Sequence, residues 1–306
     1  MPHDPPVARS SRALTATAAD GRTLAVAEWG DPDGFPVVSL HGTPGSRFGR
    51  HYDESAYVEV GARVITYDRP GYGGSDRHRG RRVVDCVSDV AAIADELGVE
   101  RFAVTGGSGG GPHSLALAAR LPERVTRATC DVGVAPFDTP DLDWFEGMDP
   151  LNVEQFEWAL AGEEVLAREF EREAAEMLER VAADPADVLG EDWQLSEGDR
   201  AELGKSERHE VVRQMITEAF RNGVWGLVDD MLCVTRPWGF HVAEIRVPTR
   251  IVYGLTDVLV PRQHGDWLAR NVPNADVVID EGAGHISDAA QVTEHYRWLV
   301  QPTPSE

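Results

Sequence analysis

Lysine is nearly absent from this chain of 306 residues. Lys205 is its one lysine, the other 28 basic residues are arginines, and 52 Asp and Glu bring the formal net charge to −23. So acidic a chain repels phosphate backbones and anionic lipid, which argues against nucleic-acid binding and against an electrostatic membrane anchor. No run approaches the roughly 18 uninterrupted apolar residues of a membrane-spanning helix. Met1–Arg12 carries prolines and polar residues without an apolar core, so no secretory signal is expected there. Cysteine is scarce too. Cys86, Cys130 and Cys233 form no CxxC or Cys/His zinc pattern, and an odd, widely spaced trio does not make a disulfide framework. Buried reduced thiols in a cytoplasmic protein are the expectation.

What is present is an ordinary globular balance, 42% hydrophobic and 26% charged, with length enough for a sizeable core. Residues 13–18 and 23–29 alternate apolar and polar side chains around Asp20-Gly21, a strong hairpin signal. Short apolar runs of the kind buried parallel strands show follow at Val37–Leu40, Val64–Tyr67, Phe102–Thr105, Val125–Cys130, Arg250–Tyr253 and Ala275–Ile279. Between them lie helix-period segments. Val83, Val87, Val90, Ile93, Ala94 and Leu97 keep a spacing of three to four residues up to Gly98, and Leu115–Leu121 and Tyr296–Val300 read similarly. Hairpin first, then strand and helix in alternation, predicts an α/β fold with a largely parallel sheet.

That alternation breaks over 134–241, which reads as successive helices. One near Glu163–Ala183 sets Leu166, Phe170, Met177, Leu178 and Val181 on one face, and another runs near Glu207–Phe220. The expected organisation is an α/β core over 13–133 and 242–300, a helical cap over 134–241, and a disordered tail over 1–12. The cap holds 26 acidic against 9 basic residues, so −17 of the −23 lies in about a third of the chain.

Gly106, Ser108 and Gly110 form G-x-S-x-G between an apolar strand and an Ala/Leu-rich helix. This is the sharp strand-to-helix turn that exposes a serine hydroxyl and leaves no room for a Cβ two residues either side. Serine needs a base, and the base needs a carboxylate to orient it. His285, in the loop after the last strand, and Asp257, after the strand ending at Gly254, complete the order Ser…Asp…His. Asp131, after the strand ending at Cys130, is the rival acid. Two backbone donors for an oxyanion are expected at Gly109, next to the nucleophile, and at Thr43 in the loop Leu40-His41-Gly42-Thr43-Pro44-Gly45. His41 and Gly42 support that loop. His113 reads as a packed helix histidine. No G-K-[ST] ending follows the glycines, and no phosphate loop is expected.

With the His41-Gly42 loop, Asp68-Arg69-Pro70-Gly71-Tyr72-Gly73-Gly74-Ser75, the turn at Ser108, Asp257 and Gly284-His285 in this order, the chain resembles capped members of the α/β-hydrolase superfamily from about residue 13 to 300. The resemblance implies an eight-stranded, mostly parallel sheet. It also implies a cap between the sixth and seventh strands, folded over Ser108, and a structural role for the turn after Asp68. Serine at position 108 sets the chain apart from haloalkane dehalogenases and epoxide hydrolases, which carry aspartate there. The expected activity is serine-dependent hydrolysis of a small or medium carboxylic ester, thioester or lactone. Neither a metal nor an organic cofactor is expected, and the partner is a small-molecule substrate. Two further readings are a proline-iminopeptidase-type aminopeptidase and a cofactor-free perhydrolase; a non-catalytic receptor of the same fold is the reading from a different class. From the peptidase pattern the chain departs twice, with Thr43 where a second glycine stands and with Gly109 where a tryptophan follows the serine. Five tryptophans fall in the cap, most of them expected to pack its interior and one or two to line an acyl pocket.

Overall fold

The computed structural model describes residues 12–302. The tail expected over 1–12 lies outside them, except for Arg12, which opens the first strand. Gly21, at φ 90°, turns the chain between β1 (Arg12–Thr17) and β2 (Thr23–Gly30), which pair antiparallel with Thr17 opposite Thr23. Then come β3 (Phe35–Leu40), α1 (Ser55–Glu59), β4 (Ala62–Tyr67), α2 (Cys86–Glu96), β5 (Phe102–Gly107), α3 (Gly111–Arg120) and β6 (Val125–Asp131). Five helices are inserted next: α4 (Pro150–Ala161), α5 (Glu163–Ala183), α6 (Glu197–Leu203), α7 (Ser206–Ala219) and α8 (Trp225–Val234). The chain closes with β7 (Thr249–Gly254), α9 (Arg262–Asn271), β8 (Asp276–Asp280) and α10 (Ala289–Leu299). The sheet order is β1-β2-β4-β3-β5-β6-β7-β8. β2 runs antiparallel to β1 and β4, and every other pair is parallel.

Successive residues of a strand point to opposite faces, and here both faces are buried. Val38, Ile65 and Val104 pack on one side with α2 and α3, while Val37, Val64 and Ala103 pack on the other with Tyr296 and Leu299 of α10. The first cluster runs on without a break into Phe156, Leu166, Phe170, Ile216 and Leu227 of the inserted helices. All three cysteines are buried and unbridged, and burial pushes the thiols of Cys130 and Cys233 up to about 12. No helix among the described residues is long and apolar enough to cross a membrane.

The inserted helices sit on the sheet through charge as well as apolar surface. Glu218 meets Arg47 at 2.7 Å, Asp229 meets Arg77 at 2.8 Å and Glu163 meets Arg77 at 3.0 Å. Asp230 pairs with both Arg69 and Arg81. Four of the acidic residues over 134–241, Glu163, Glu218, Asp229 and Asp230, thus answer arginines carried by the loops after β3 and β4.

Candidate functional site

Ser108 follows β5 directly and takes φ 52°, a left-handed conformation that a side-chain-bearing residue adopts only when its surroundings impose it. Those surroundings are tight. A Cβ at Gly106 would collide with the carbonyl of Gly110, and one at Gly110 with that of Leu40. The turn therefore closes only with glycine at both places, and α3 starts at once behind it. Ser108 makes no side-chain hydrogen bond among the described residues and opens onto a cavity of about 260 Å³. Gly42, Thr43, Gly109 and His285 line the same cavity.

The loop after β7 carries Asp257, which is 4% exposed. Its Oδ1 accepts the backbone N–H groups of Leu259 (2.8 Å) and Val260 (2.9 Å), and its Oδ2 lies 2.8 Å from Nδ1 of His285. Asp131, the rival, instead meets the hydroxyl of Ser287 at 3.3 Å and Nδ1 of His295 at 3.7 Å. Burial alone would lower the His285 pKa, but the nearby carboxylates of Asp257, Asp199 and Asp131 outweigh it and hold the imidazole above its ordinary value. Asp199, from α6, accepts the N–H of Ile286 at 2.7 Å and so braces the loop that carries His285.

His41 is a neutral brace. Its Nδ1 donates to the Gly42 carbonyl at 2.7 Å while Nε2 accepts the N–H of Arg69 at 3.1 Å. Burial, helped by the Arg69 charge, holds its pKa well below the ordinary value. A Cβ at Gly42 would stand 3.6 Å from that of Ser108, so the loop after β3 runs directly beside the serine. A Cβ at Gly109 would collide with the hydroxyl of Thr43. The two departures from the peptidase pattern are therefore one steric event, since threonine at 43 takes the space a side chain at 109 would need. His113 packs inside the protein with Nδ1 2.9 Å from the Gly109 carbonyl, and burial pushes its pKa down to about 3.

The cavity wall is mostly apolar, with Phe156, Phe170, Met177, Val188, Leu227 and Met231 from the inserted helices. Of the five tryptophans over 134–241 only Trp193 lines it; Trp144 and Trp238 are buried elsewhere, and Trp225 lies under the Arg77 guanidinium at 4.0 Å. Two carboxylates in this wall escape a sequence reading. Glu173 accepts a hydrogen bond from Gln155 at 2.7 Å, and burial raises its pKa. A signal for it existed, because 166, 170, 173, 177 and 181 continue the apolar stripe of α5 and Glu173 interrupts it. Asp230 had no such signal, since its partners lie 149 to 187 residues earlier in the chain. His113, Asp230 and Cys233 bring donor atoms within 4.8 Å of one another. The Asp230 carboxylate is already held by two guanidinium groups, whose charge opposes a metal cation.

Residues 36–287 match the family described as alpha/beta hydrolase fold. A proline iminopeptidase of Xylella fastidiosa is 30% identical over 292 residues, covering 87% of this chain and 88% of that protein. Among solved structures, a thermophilic esterase from Thermogutta terrifontis superposes with a TM-score of 0.65 at 24% identity, covering 94% of this chain and 98% of that one. The enol-lactonase from Burkholderia xenovorans gives 0.65 at 21% identity with the same coverage.

Proposed function

The chain belongs to the alpha/beta hydrolase fold family, and from that footing we propose that it is a serine hydrolase that cleaves a small or medium carboxylic ester, thioester or lactone through an acyl-enzyme. The observation that carries this reading is the contact of buried Asp257 with His285 at 2.8 Å, with His285 lining the same cavity as a serine in strained backbone. His285 takes the proton of Ser108 as the hydroxyl attacks the substrate carbonyl. The negative charge that develops on the carbonyl oxygen meets the N–H groups of Gly109 and Thr43. Asp257 fixes the imidazole tautomer and stabilises the cation, which then gives its proton to the leaving group. Water, activated by the same histidine, releases the acid. Every step uses this chain's own side chains and backbone. The apolar wall suits an uncharged acyl group, and about 260 Å³ suits a small or medium one.

One observation favours a second reading, removal of an N-terminal proline. Glu173 places a carboxyl in the cavity wall with a single amide donor beside it, where a substrate amine would find a counter-charge. The 30% identity to a proline iminopeptidase supports the same reading. A panel of short and long 4-nitrophenyl esters beside proline 4-nitroanilide separates the two. The ester reading expects short esters to turn over fastest and Glu173→Gln to leave them little changed. Proline anilide outpacing every ester, with that advantage lost in Glu173→Gln, would replace it.

A further inference from the structure

Arg69 is fully buried and spends its guanidinium on the loop that carries Thr43. It donates to the carbonyl of His41, to the carbonyl of Gly42 at 2.9 Å and to the Thr43 hydroxyl at 3.0 Å. The Thr43 hydroxyl in turn donates to Oδ2 of Asp230 at 2.7 Å. Asp230 lies on α8, one of the inserted helices, and is 1% exposed. It also receives Arg69, Arg81 and the Tyr72 hydroxyl, the last at 2.9 Å. Four groups from the sheet side therefore converge on one carboxylate from the inserted helices. The only one of them that belongs to the cavity wall beside Ser108 is Thr43.

We infer that Asp230 is a positioning residue for the oxyanion hole, holding the Thr43 backbone N–H in place through the Thr43 hydroxyl and Arg69. This rests on the reading of Thr43 and Gly109 as the oxyanion donors. The hydroxyl of Thr43 is committed to Asp230 and so is not itself a donor to substrate. Its task is to lock the residue whose N–H is. Helix α8 then does more than cover the cavity: seating it completes the catalytic apparatus, and a chain with α8 displaced retains Ser108 and His285 but lacks a fixed second donor.

Active protein is first counted by fluorophosphonate labelling of Ser108, so that every rate refers to labelled sites. The probes are a 4-nitrophenyl ester, a trifluoromethyl ketone whose hemiketal oxygen mimics the oxyanion, and the matching methyl ketone, which does not add serine appreciably. Thr43→Val removes the hydroxyl. It is expected to lower kcat and trifluoromethyl ketone affinity together by roughly 10- to 100-fold, with KM and methyl ketone affinity little changed. Thr43→Ser restores the hydroxyl and recovers most of the loss. Asp230→Asn gives the same split, and combining it with Thr43→Val adds little, because both break one chain of contacts. Where Asp230→Asn fails to fold, the two Thr43 variants decide. Thr43→Val with unchanged kcat and unchanged trifluoromethyl ketone affinity overturns the inference while leaving the serine-hydrolase reading intact. A folded wild type that takes no fluorophosphonate overturns that reading, and this inference with it.

Discussion

On the proposed mechanism His285 must accept a proton and works only in its neutral form, so its environment sets where on the pH scale activity is expected. Burial depresses its pKa, yet Asp257, Asp199 and Asp131 together raise it above the ordinary imidazole value. kcat/KM is therefore expected to rise with pH through a pKa above about 6.5. Asp131→Asn removes one of the raising charges and moves that rise to lower pH while kcat on the plateau stays within a few-fold. Asp257→Asn disturbs the tautomer and costs on the order of 10⁴ in kcat. The opposite pattern in a pH–rate series would transfer the role to Asp131. The contact between Thr43 and Gly109 gives a second residue-scale prediction. Gly109→Ala should suppress ester hydrolysis by at least tenfold, of the order seen when an oxyanion donor is displaced. The clash itself is read on stability: Gly109→Ala should lower the Tm, and adding Thr43→Gly should return part of it while activity stays low, because the hydroxyl that anchors the Thr43 N–H is gone; equal Tm values for the single and double variants would remove the steric link.

At the scale of elements, what the sequence reveals depends on whether a segment has a buried side and an exposed one. Helix α5 was expected near Glu163–Ala183 and spans those residues, because its apolar stripe stands out against a charged face. The hairpin and all six later strands lie where the apolar runs put them, with shifts of one or two residues at their ends. Helix α8 was not legible. Every residue from Gly226 to Val234 is buried, so no periodic contrast marks it, and Asp229 and Asp230 in its middle look like surface residues until Arg77, Arg69 and Arg81 arrive from far away in sequence. The same distance hid the cluster around Asp230, whereas the candidates Ser108, Asp257 and His285 each stand just past a recognisable strand, and the structure brings Asp257 to His285 and sets His285 in the wall of the cavity that Ser108 lines. Burial pushes the Asp230 carboxyl up, but the Arg69 and Arg81 charges outweigh it and hold it well below the usual range. Its contribution to stability is thus present above the unfolded-state pKa of about 3.9 and is lost only as pH falls through the lower folded value. Asp230→Ala leaves two guanidinium groups without their partner, so urea unfolding should show a loss of about 3–5 kcal/mol. That loss should be equal at pH 6 and pH 8. A loss that disappears on going from pH 6 to pH 8 would contradict the ion-pair account.

For the whole molecule the charge asymmetry has two uses. Part of the acidity over 134–241 is consumed in seating those helices on arginines of the sheet side, through Glu163, Glu218, Asp229 and Asp230. Of the rest, Asp149 and Asp199 are buried and Glu173 lies in the cavity wall, while most of the others sit at the surface; a field of that sign is expected to disfavour anionic substrates. At low salt an ester bearing a carboxylate should turn over more slowly than its neutral match, with the gap closing as salt screens the field. Equal rates at low salt would confine the acidity to docking. The proposed chemistry depends on Ser108 being the nucleophile. The most direct measurement is fluorophosphonate labelling followed by mass analysis of the intact chain and its peptides. One label per wild-type chain, located on Ser108 and absent from folded Ser108→Ala, is the expected result; equal labelling of both proteins, or none of the folded wild type, would contradict it.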